Sequence, residues 1–210
     1  MMEAVARTLD FYWLAEGLKR ELRHSWLSDG RRESVAEHSW SMSLLALLVH
    51  RHLERPVEID RVLKMIIVHD LVEALVGDVP FFETGSRKDA KVAKEREAIE
   101  VIRSRLPGGG GQEIFDLFHE FEAKLTAEAK FAAALDHLEV QMQHNLADLG
   151  TWEPVEYDLV YTKMDAVCAH DAMLVELCGL VKGQAEAKMR AGSVDVDAIK
   201  ERLHELRAAI

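Results

Sequence analysis

The strongest constraint on this sequence is a segment that is apolar nearly all the way around a helix. From Val62 to Val76 it reads VLKMIIVHDLVEALV, in which only a lysine, a histidine, an aspartate and a glutamate are polar. A helix that is apolar around its circumference belongs inside a core. We therefore expect a buried helix over about 59–76, ended by the glycine at Gly77.

The rest of the chain also shows helical periodicity, and strand-like runs of β-branched and aromatic residues between turns are missing. Ser34 and Glu37 have the spacing of a capping box, which predicts a helix that begins at Val35. Further helices are predicted, among others, over about 3–24, 112–124 and, with a break, 156–190, while the run PGGGG over 107–111 is predicted to be a linker. The sequence predicts an all-α, single-domain helical bundle with its functional site in the core.

Three of the predicted helices each carry a metal-compatible side chain on an otherwise apolar face. His69, Asp70 and Glu73 fall within an arc of about 100°. His38 interrupts an apolar stripe, and Asp136 is the one charge on its face. Burying such groups together is costly unless a cation compensates them. Two imidazoles and two carboxylates suit one divalent ion: Mn, Fe, Co, Ni, Zn or, less well, Mg.

Each of these residues is weak evidence when it is taken alone. A single histidine on an apolar stripe is more often a hydrogen-bonded core residue. A second His-Asp pair, His170-Asp171, lies in a more polar helix. It is the convergence of three helices that favours a metal site.

The charge balance and the cysteines limit the possible partners and the compartment. Lys plus Arg number 26 and Asp plus Glu number 37, for a net charge of −11, which disfavours a nucleic acid polymer or an anionic membrane. The stretch 1–20 lacks the features of a signal peptide, and no apolar run reaches the roughly 18 residues of a membrane span. Cys168 and Cys178 form no CxxC motif. We expect a soluble, cytoplasmic protein.

The motifs SVAEHS, VHDLVEALVGD and LD at Asp136 resemble the ordered signature of HD-domain metal-dependent phosphohydrolases. Within that superfamily the chain is similar to the branch that contains the 5′-deoxynucleotidases, which dephosphorylate deoxyribonucleoside monophosphates. The resemblance implies one HD-type domain over 1–210, with a core motif region of about 18–145, and usually a homodimer. The C-terminal helices over 146–210 would complete the fold or form the dimer interface. The implied ligands of one divalent ion are His38, His69, Asp70 and Asp136.

The same resemblance implies that two carboxylates outside the metal set, Glu73 and Asp78, carry out the chemistry. Two carboxylates in different surroundings suit an acid and base division. We favour Glu73 as the base that activates a water, with Asp78 assisting the leaving alkoxide. Alternatively, Glu73 braces a histidine ligand and Asp78 is a turn residue.

Arg23 matches an arginine that contacts the substrate phosphate in the family. Weaker candidates for this role are Arg31, Arg32 and Lys88. Some members follow that arginine with a tryptophan that helps to exclude ribonucleotides, whereas here His24 follows it and Trp26 comes two residues later. We expect these residues to bind the substrate, a small phosphorylated molecule such as a nucleoside 5′-monophosphate. His24 could hydrogen-bond a 2′-hydroxyl, so a preference for deoxyribose is not predicted.

Two other functions stay open at this point. Di-iron oxygenases with HD motifs need two further histidines between the His-Asp pair and the last aspartate, but only His119 lies there. A metal-stabilised nucleotide-binding module without turnover would be favoured by loss of Glu73 or Asp78, and both are present. The sequence favours a mononuclear phosphohydrolase. It identifies neither the metal ion nor the nucleobase of the substrate.

Overall fold

Regular structure in this chain is almost entirely helical, which confirms the predicted all-α class. The computed structural model describes residues 2–80, 82–83 and 85–208, apart from the side chains of 86–89. Its helices are α1 (Met2–Ala15), α2 (Val35–Val49), α3 (Ile59–Val68), α4 (Glu73–Val76), α5 (Ser86–Arg105), α6 (Gly110–Ala123), α7 (Ala127–Leu146), α8 (Pro154–Thr162), α9 (Met164–Cys168), α10 (Ala172–Ala191) and α11 (Val196–Ala208). Short 3-10 helices cover Glu16–Lys19, His50–His52 and Leu149–Thr151. No described helix has the length and apolar character that crossing a membrane requires.

A short β-hairpin replaces the end of the first predicted helix. Strand β1 (Leu22–Trp26) pairs antiparallel with β2 (Arg32–Ser34). Cα partners run from Leu22 with Ser34 to Trp26 with Arg32, so β1 advances four residues where β2 advances two. Such an irregularity bends a strand and re-aims its side chains. The predicted helix over 3–24 is therefore wrong beyond α1 and the Glu16–Lys19 turn, where Gly17 lies close against Ala74.

The predicted start of α2 is confirmed at Val35. The Ser34 hydroxyl accepts a hydrogen bond from the Glu37 backbone N–H at 3.3 Å. In return, the Glu37 carboxylate accepts one from the Ser34 backbone N–H at 2.8 Å. This capping box fixes the first turn of α2 and so places His38, which follows it directly.

The predicted continuous helix over 59–76 is interrupted at the His-Asp pair. Helix α3 ends at Val68, and α4 begins only at Glu73. Between them, backbone N–H groups donate to the carbonyl three residues earlier rather than four, as from the Glu73 N–H to the Asp70 carbonyl at 2.9 Å. Three residues per turn bring positions i and i+3 onto one side, so Asp70 and Glu73 come together. Gly77, with φ of +77°, ends the segment as predicted.

Helix α7 lies at the centre of the molecule and packs against α2, α3, α6, α9 and α10. Its buried stretch FAAAL leads directly to Asp136, and small alanine side chains let the neighbouring helices approach closely. A smaller apolar cluster around Trp152 and Met189 packs α8, α10 and α11 against one another. The region 156–190 is broken between α8, α9 and α10, as predicted.

Candidate functional site

His38 is fully buried, with carboxylates from α7 at both ring nitrogens. Its Nδ1 lies 2.5 Å from Glu139 Oε2, and its Nε2 lies 3.2 Å from Asp136 Oδ1. Burial and Arg23 act to lower the pKa of His38, but Glu139 and Asp136 raise it to about 10. The surroundings of His38 therefore carry excess negative charge and attract a cation.

His69 presents a buried nitrogen that lacks a hydrogen-bond partner. Its Nδ1 donates to the Ile66 carbonyl at 2.7 Å, so in the neutral ring Nε2 carries no proton. Nε2 lies 3.1 Å from Asp70 Oδ2, but it makes no hydrogen bond within the described part of the chain. A buried lone pair beside a carboxylate fits a metal ion, which would satisfy both groups.

His38, His69 and Asp136 offer ligand atoms that all lie within 4.8 Å of one another. Three of the four residues expected as metal ligands are thus brought together. The fourth, Asp70, lies beside this group, and its Oδ2 accepts a hydrogen bond from Arg23 Nη1 at 3.2 Å. Two imidazoles and a carboxylate, with a second carboxylate adjacent, fit the divalent ions named above.

Two buried glutamates behind His38 were missed by the sequence reasoning. Glu33 and Glu139, which are 1% and 5% exposed, form with His38 a second group of ligand atoms within 4.8 Å. Burial, with help from Glu139, raises the pKa of Glu33 to about 7 despite His38 and Arg23. Glu139 holds Nδ1 of His38 and so turns Nε2 toward Asp136. The available signal was its position three residues after Asp136, on the same face of α7.

Glu73 and Asp78 both lie at the site in buried surroundings. Burial first, then Asp70 and Asp78, raise the pKa of Glu73 to about 10. Burial also raises the pKa of Asp78, although Arg23 opposes it. Because Asp70 contributes to the raised pKa of Glu73, neutralising Asp70 with a cation would bring that pKa down. The Asp78 loop is held by Glu21, whose Oε1 accepts the Asp78 backbone N–H at 2.8 Å.

Arg23 extends from β1 into this acidic centre. Besides the bond to Asp70, its Nε lies 3.6 Å from Glu33 Oε2. Although burial lowers the pKa of Arg23, Asp70 and Asp78 raise it above its usual range, so the guanidinium stays charged. It is placed to neutralise an anion bound beside the acids.

The weaker arginine candidates are engaged elsewhere. Arg31 donates to both carboxylate oxygens of Glu37, at 2.7 and 3.0 Å. Arg32 donates to backbone carbonyls of β1, such as that of Arg23 at 2.7 Å. The Lys88 side chain lies outside the described residues.

A cavity of about 250 Å³ opens from this centre. Arg23, His24 and Ser25 all line it, because the irregular register of β1 lets consecutive side chains face the same space. Trp26 is not among the described lining residues: it ends β1, and its carbonyl accepts a hydrogen bond from Gln143. The wall opposite comes from the C-terminal region, between Trp152 and Met164.

Comparison with known proteins places this geometry in one family. The family model for the HD domain matches residues 15–174 of this chain. A 5′-deoxynucleotidase HDDC2 from Danio rerio is 30% identical over 184 residues, which cover 87% of this chain and 88% of that protein. The 5′-deoxynucleotidase HDDC2 from Xenopus laevis is 35% identical over 137 residues, covering 64% of this chain and 66% of its own.

Solved structures agree with this placement. A protein from Magnetospirillum magnetotacticum MS-1, described as a predicted metal-dependent phosphohydrolase, superposes with a TM-score of 0.75 at 29% identity. The match covers 90% of this chain and 95% of that chain. The PH0347 protein from Pyrococcus horikoshii OT3, at 21% identity and a TM-score of 0.62, shares the fold.

Proposed function

The chain belongs to the HD domain family, and on this premise we propose that it is a metal-dependent phosphohydrolase acting on nucleoside 5′-monophosphates. The observation that carries the proposal is the unpartnered Nε2 of His69, which lies in one buried group with His38 and Asp136 beside Arg23. A cation site next to a fixed guanidinium suits a phosphate monoester. The relatives named 5′-deoxynucleotidase support the nucleotide as substrate.

We assign His38, His69, Asp70 and Asp136 as the residues that hold one divalent ion: Mn, Co, Fe, Ni, Zn or Mg. When it is bound, this ion supplies Lewis acidity and makes an adjacent water more acidic. A single ion is further supported by His119, which is exposed and packs against the Phe115 ring at 4.3 Å between centroids. It therefore does not supply the second set of histidines that a di-iron centre needs.

Three side chains then act on the substrate and the attacking water. Arg23 neutralises the phosphoryl oxygens and orients them. Glu73 accepts a proton from the attacking water, and Asp78 donates one to the leaving 5′-oxygen. Burial and Asp70 raise the pKa of Asp78 against the effect of Arg23, and a raised pKa is the direction that suits an acid.

A substrate panel tests this proposal. Metal-stripped protein would be reloaded with each of the six ions, and phosphate release measured from nucleoside 5′-monophosphates, sugar phosphates and a cyclic dinucleotide. We expect release from the nucleoside monophosphates only when an ion is present. Release from no compound with any ion would revive the reading of a binding module without turnover.

We also propose that the protein is a cytoplasmic homodimer. Helix α2 buries one face in the core yet leaves Trp40, Leu44 and Leu48 at 67%, 43% and 62% exposed, and a helix apolar on both sides fits an interface. A second copy of this chain would cover that face. The two free cysteines fit a reducing compartment. Light scattering should give twice the chain mass for the protein and the chain mass for Leu48→Glu; one chain mass for both would contradict the dimer.

A further inference from the structure

The cavity runs away from the acidic centre along one face of α7. Asp136, Val140 and His144 all line it, at successive turns of the helix. Eight residues at 1.5 Å each place His144 about 12 Å along the axis from Asp136. The cavity therefore has room beyond the phosphate for the group to which the phosphate is attached.

Three elements bring polar side chains together in this further part: His24 from β1, His144 from α7 and Glu156 from α8. His144 Nε2 lies 2.9 Å from Glu156 Oε1, and its Nδ1 lies 2.7 Å from the Val140 carbonyl. Both nitrogens face acceptors, so both donate and the ring is cationic. Burial lowers the pKa of His144, but Glu156 and the Val140 carbonyl outweigh it and raise the pKa.

The Glu156 carboxylate is held rigidly in the wall. Its Oε2 accepts the Glu153 backbone N–H at 2.6 Å, as part of the capping box of α8. Its Oε1 accepts the His144 bond, and His144 is itself tied down because its carbonyl accepts the Trp152 indole N–H at 3.0 Å. Glu156 is 5% exposed and lines the cavity from this fixed position.

His24 faces Glu156, and its Nε2 lacks a hydrogen-bond partner among the described residues. Its Nε2 is buried and 3.5 Å from Glu156 Oε1, and it makes no hydrogen bond to any described residue. The ring is steadied by an edge contact to Phe82, at 4.9 Å between centroids. A hydroxyl group both donates and accepts, so one hydroxyl can serve the carboxylate and the imidazole together.

On the premise of the proposed nucleotidase function, we propose that His24 and Glu156 form a subsite for a sugar hydroxyl, with His144 as the positioning residue. His24 directly follows the phosphate-binding Arg23, and adjacent Cα atoms lie about 3.8 Å apart. Its ring therefore faces the part of the substrate next to the phosphate, which in a nucleoside monophosphate is the sugar. The subsite satisfies the 2′-hydroxyl of ribose, so ribonucleotides are substrates beside deoxyribonucleotides.

The test compares kcat and KM for AMP and 2′-deoxy-AMP in the metal-loaded enzyme and two variants. We expect the unmodified enzyme to hydrolyse AMP within about tenfold of 2′-deoxy-AMP. His24→Phe and Glu156→Gln should each lower kcat/KM for AMP about tenfold, the effect of one hydrogen bond, and leave 2′-deoxy-AMP within about threefold. The exposed Glu176→Gln is the matched control and should change neither substrate.

Three results overturn the subsite. One is a parallel loss for both substrates in His24→Phe, which keeps an aromatic ring beside Phe82 and removes the imidazole nitrogens. The second is an unchanged ratio of kcat/KM for the two substrates in both variants. The third is rejection of AMP by more than about a hundredfold in the unmodified enzyme. Failure of the nucleotidase proposal is distinct, because the unmodified enzyme would then release phosphate from neither compound.

Discussion

At the level of single residues, Glu139 decides how the most buried histidine of the site is oriented. An imidazole can turn either nitrogen toward a metal ion, and the partner of the other nitrogen selects which one. In this chain Glu139 occupies Nδ1 of His38 at 2.5 Å, which leaves Nε2 toward Asp136. Affinity for the ion should therefore depend on a residue that does not contact it.

We expect Glu139→Gln to weaken divalent metal binding about 10- to 100-fold, because the amide holds His38 less strongly and does not raise its basicity. Titration calorimetry with Mn²⁺ on metal-stripped protein measures the effect. Glu122→Gln, an exposed glutamate on α6, is the matched control and should bind as the unmodified protein does. Equal dissociation constants for Glu139→Gln and the control would contradict the role of Glu139.

Much of the site could be predicted residue by residue, since His38, His69 and Asp136 each break an apolar face. Glu33 could not, because it meets His38 and Glu139 only where the hairpin and α7 cross α2. The contact of Arg23 with Asp70 depends on the same hairpin. Periodicity shows which residues lie on one face of a helix. It does not show which other helix or strand packs against that face.

At the level of elements, the two departures from the predicted helices both serve the site. The break between α3 and α4 aligns Asp70 and Glu73, which would already share a face in an α-helix, more closely with each other. The irregular strand β1 sends Arg23 and His24 into one cavity. Both segments keep a sequence pattern compatible with a helix, because tertiary contacts rather than local preference decide their geometry.

The run PGGGG over 107–111 was predicted to be a linker, but its last two glycines, Gly110 and Gly111, begin the first turn of α6. A Cβ at Gly111 would lie 2.0 Å from the Arg103 carbonyl oxygen of α5, whereas one at Gly110 meets Leu106 at an ordinary 4.0 Å. Gly111→Ala should therefore cost about 1–3 kcal/mol in free energy of unfolding, and Gly110→Ala should cost little. Urea denaturation measures both; equal stability of the two variants would contradict the close packing of α5 on α6.

At the level of the whole molecule, the C-terminal region supplies one wall of the cavity. The sequence left open whether the helices over 146–210 complete the fold or form a dimer interface. Glu156 of α8 is bound to His144 of α7, and Trp152, Glu156 and Met164 line the cavity. Truncation before α8 would thus remove one wall of the site.

The ion pair between His144 and Glu156 should make stability depend on pH. Burial acts to raise the pKa of Glu156, but hydrogen bonds from His144, His24 and the Glu153 N–H lower it to about 2. The contribution of Glu156 to the free energy of unfolding is therefore present above about pH 4.5 and lost as the pH falls toward 2. Burial and Arg23 oppose the raised pKa of His144, whose contribution is complete below about 6.5 and lost as the pH rises through the raised value. The pair therefore contributes most between about pH 4.5 and 6.5.

Thermal unfolding of the protein and of Glu156→Gln at several pH values tests this dependence. The difference in melting temperature should be largest near pH 5.5 and shrink at pH 3, where the carboxylate approaches its lowered pKa. Glu176→Gln should show no such difference at any pH. A gap between the protein and Glu156→Gln that is constant from pH 3 to 5.5 would contradict the ion pair.

The net charge of −11 does not oppose a phosphorylated substrate. Part of the surplus lies in the site itself, in Asp70, Glu73, Asp78 and Asp136. A divalent ion beside Arg23 would invert the local potential where the phosphate binds. The acidic surface then disfavours a polyanion without excluding a mononucleotide.

The most direct test of the account is phosphate release by Glu73→Gln, measured together with its metal content. Because Glu73 is proposed to act on the water and not to hold the ion, the variant should keep one ion per chain and lose at least about 100-fold in kcat on nucleoside 5′-monophosphates. Glu122→Gln should keep both. Full activity in Glu73→Gln, or loss of the ion together with the activity, would contradict the account.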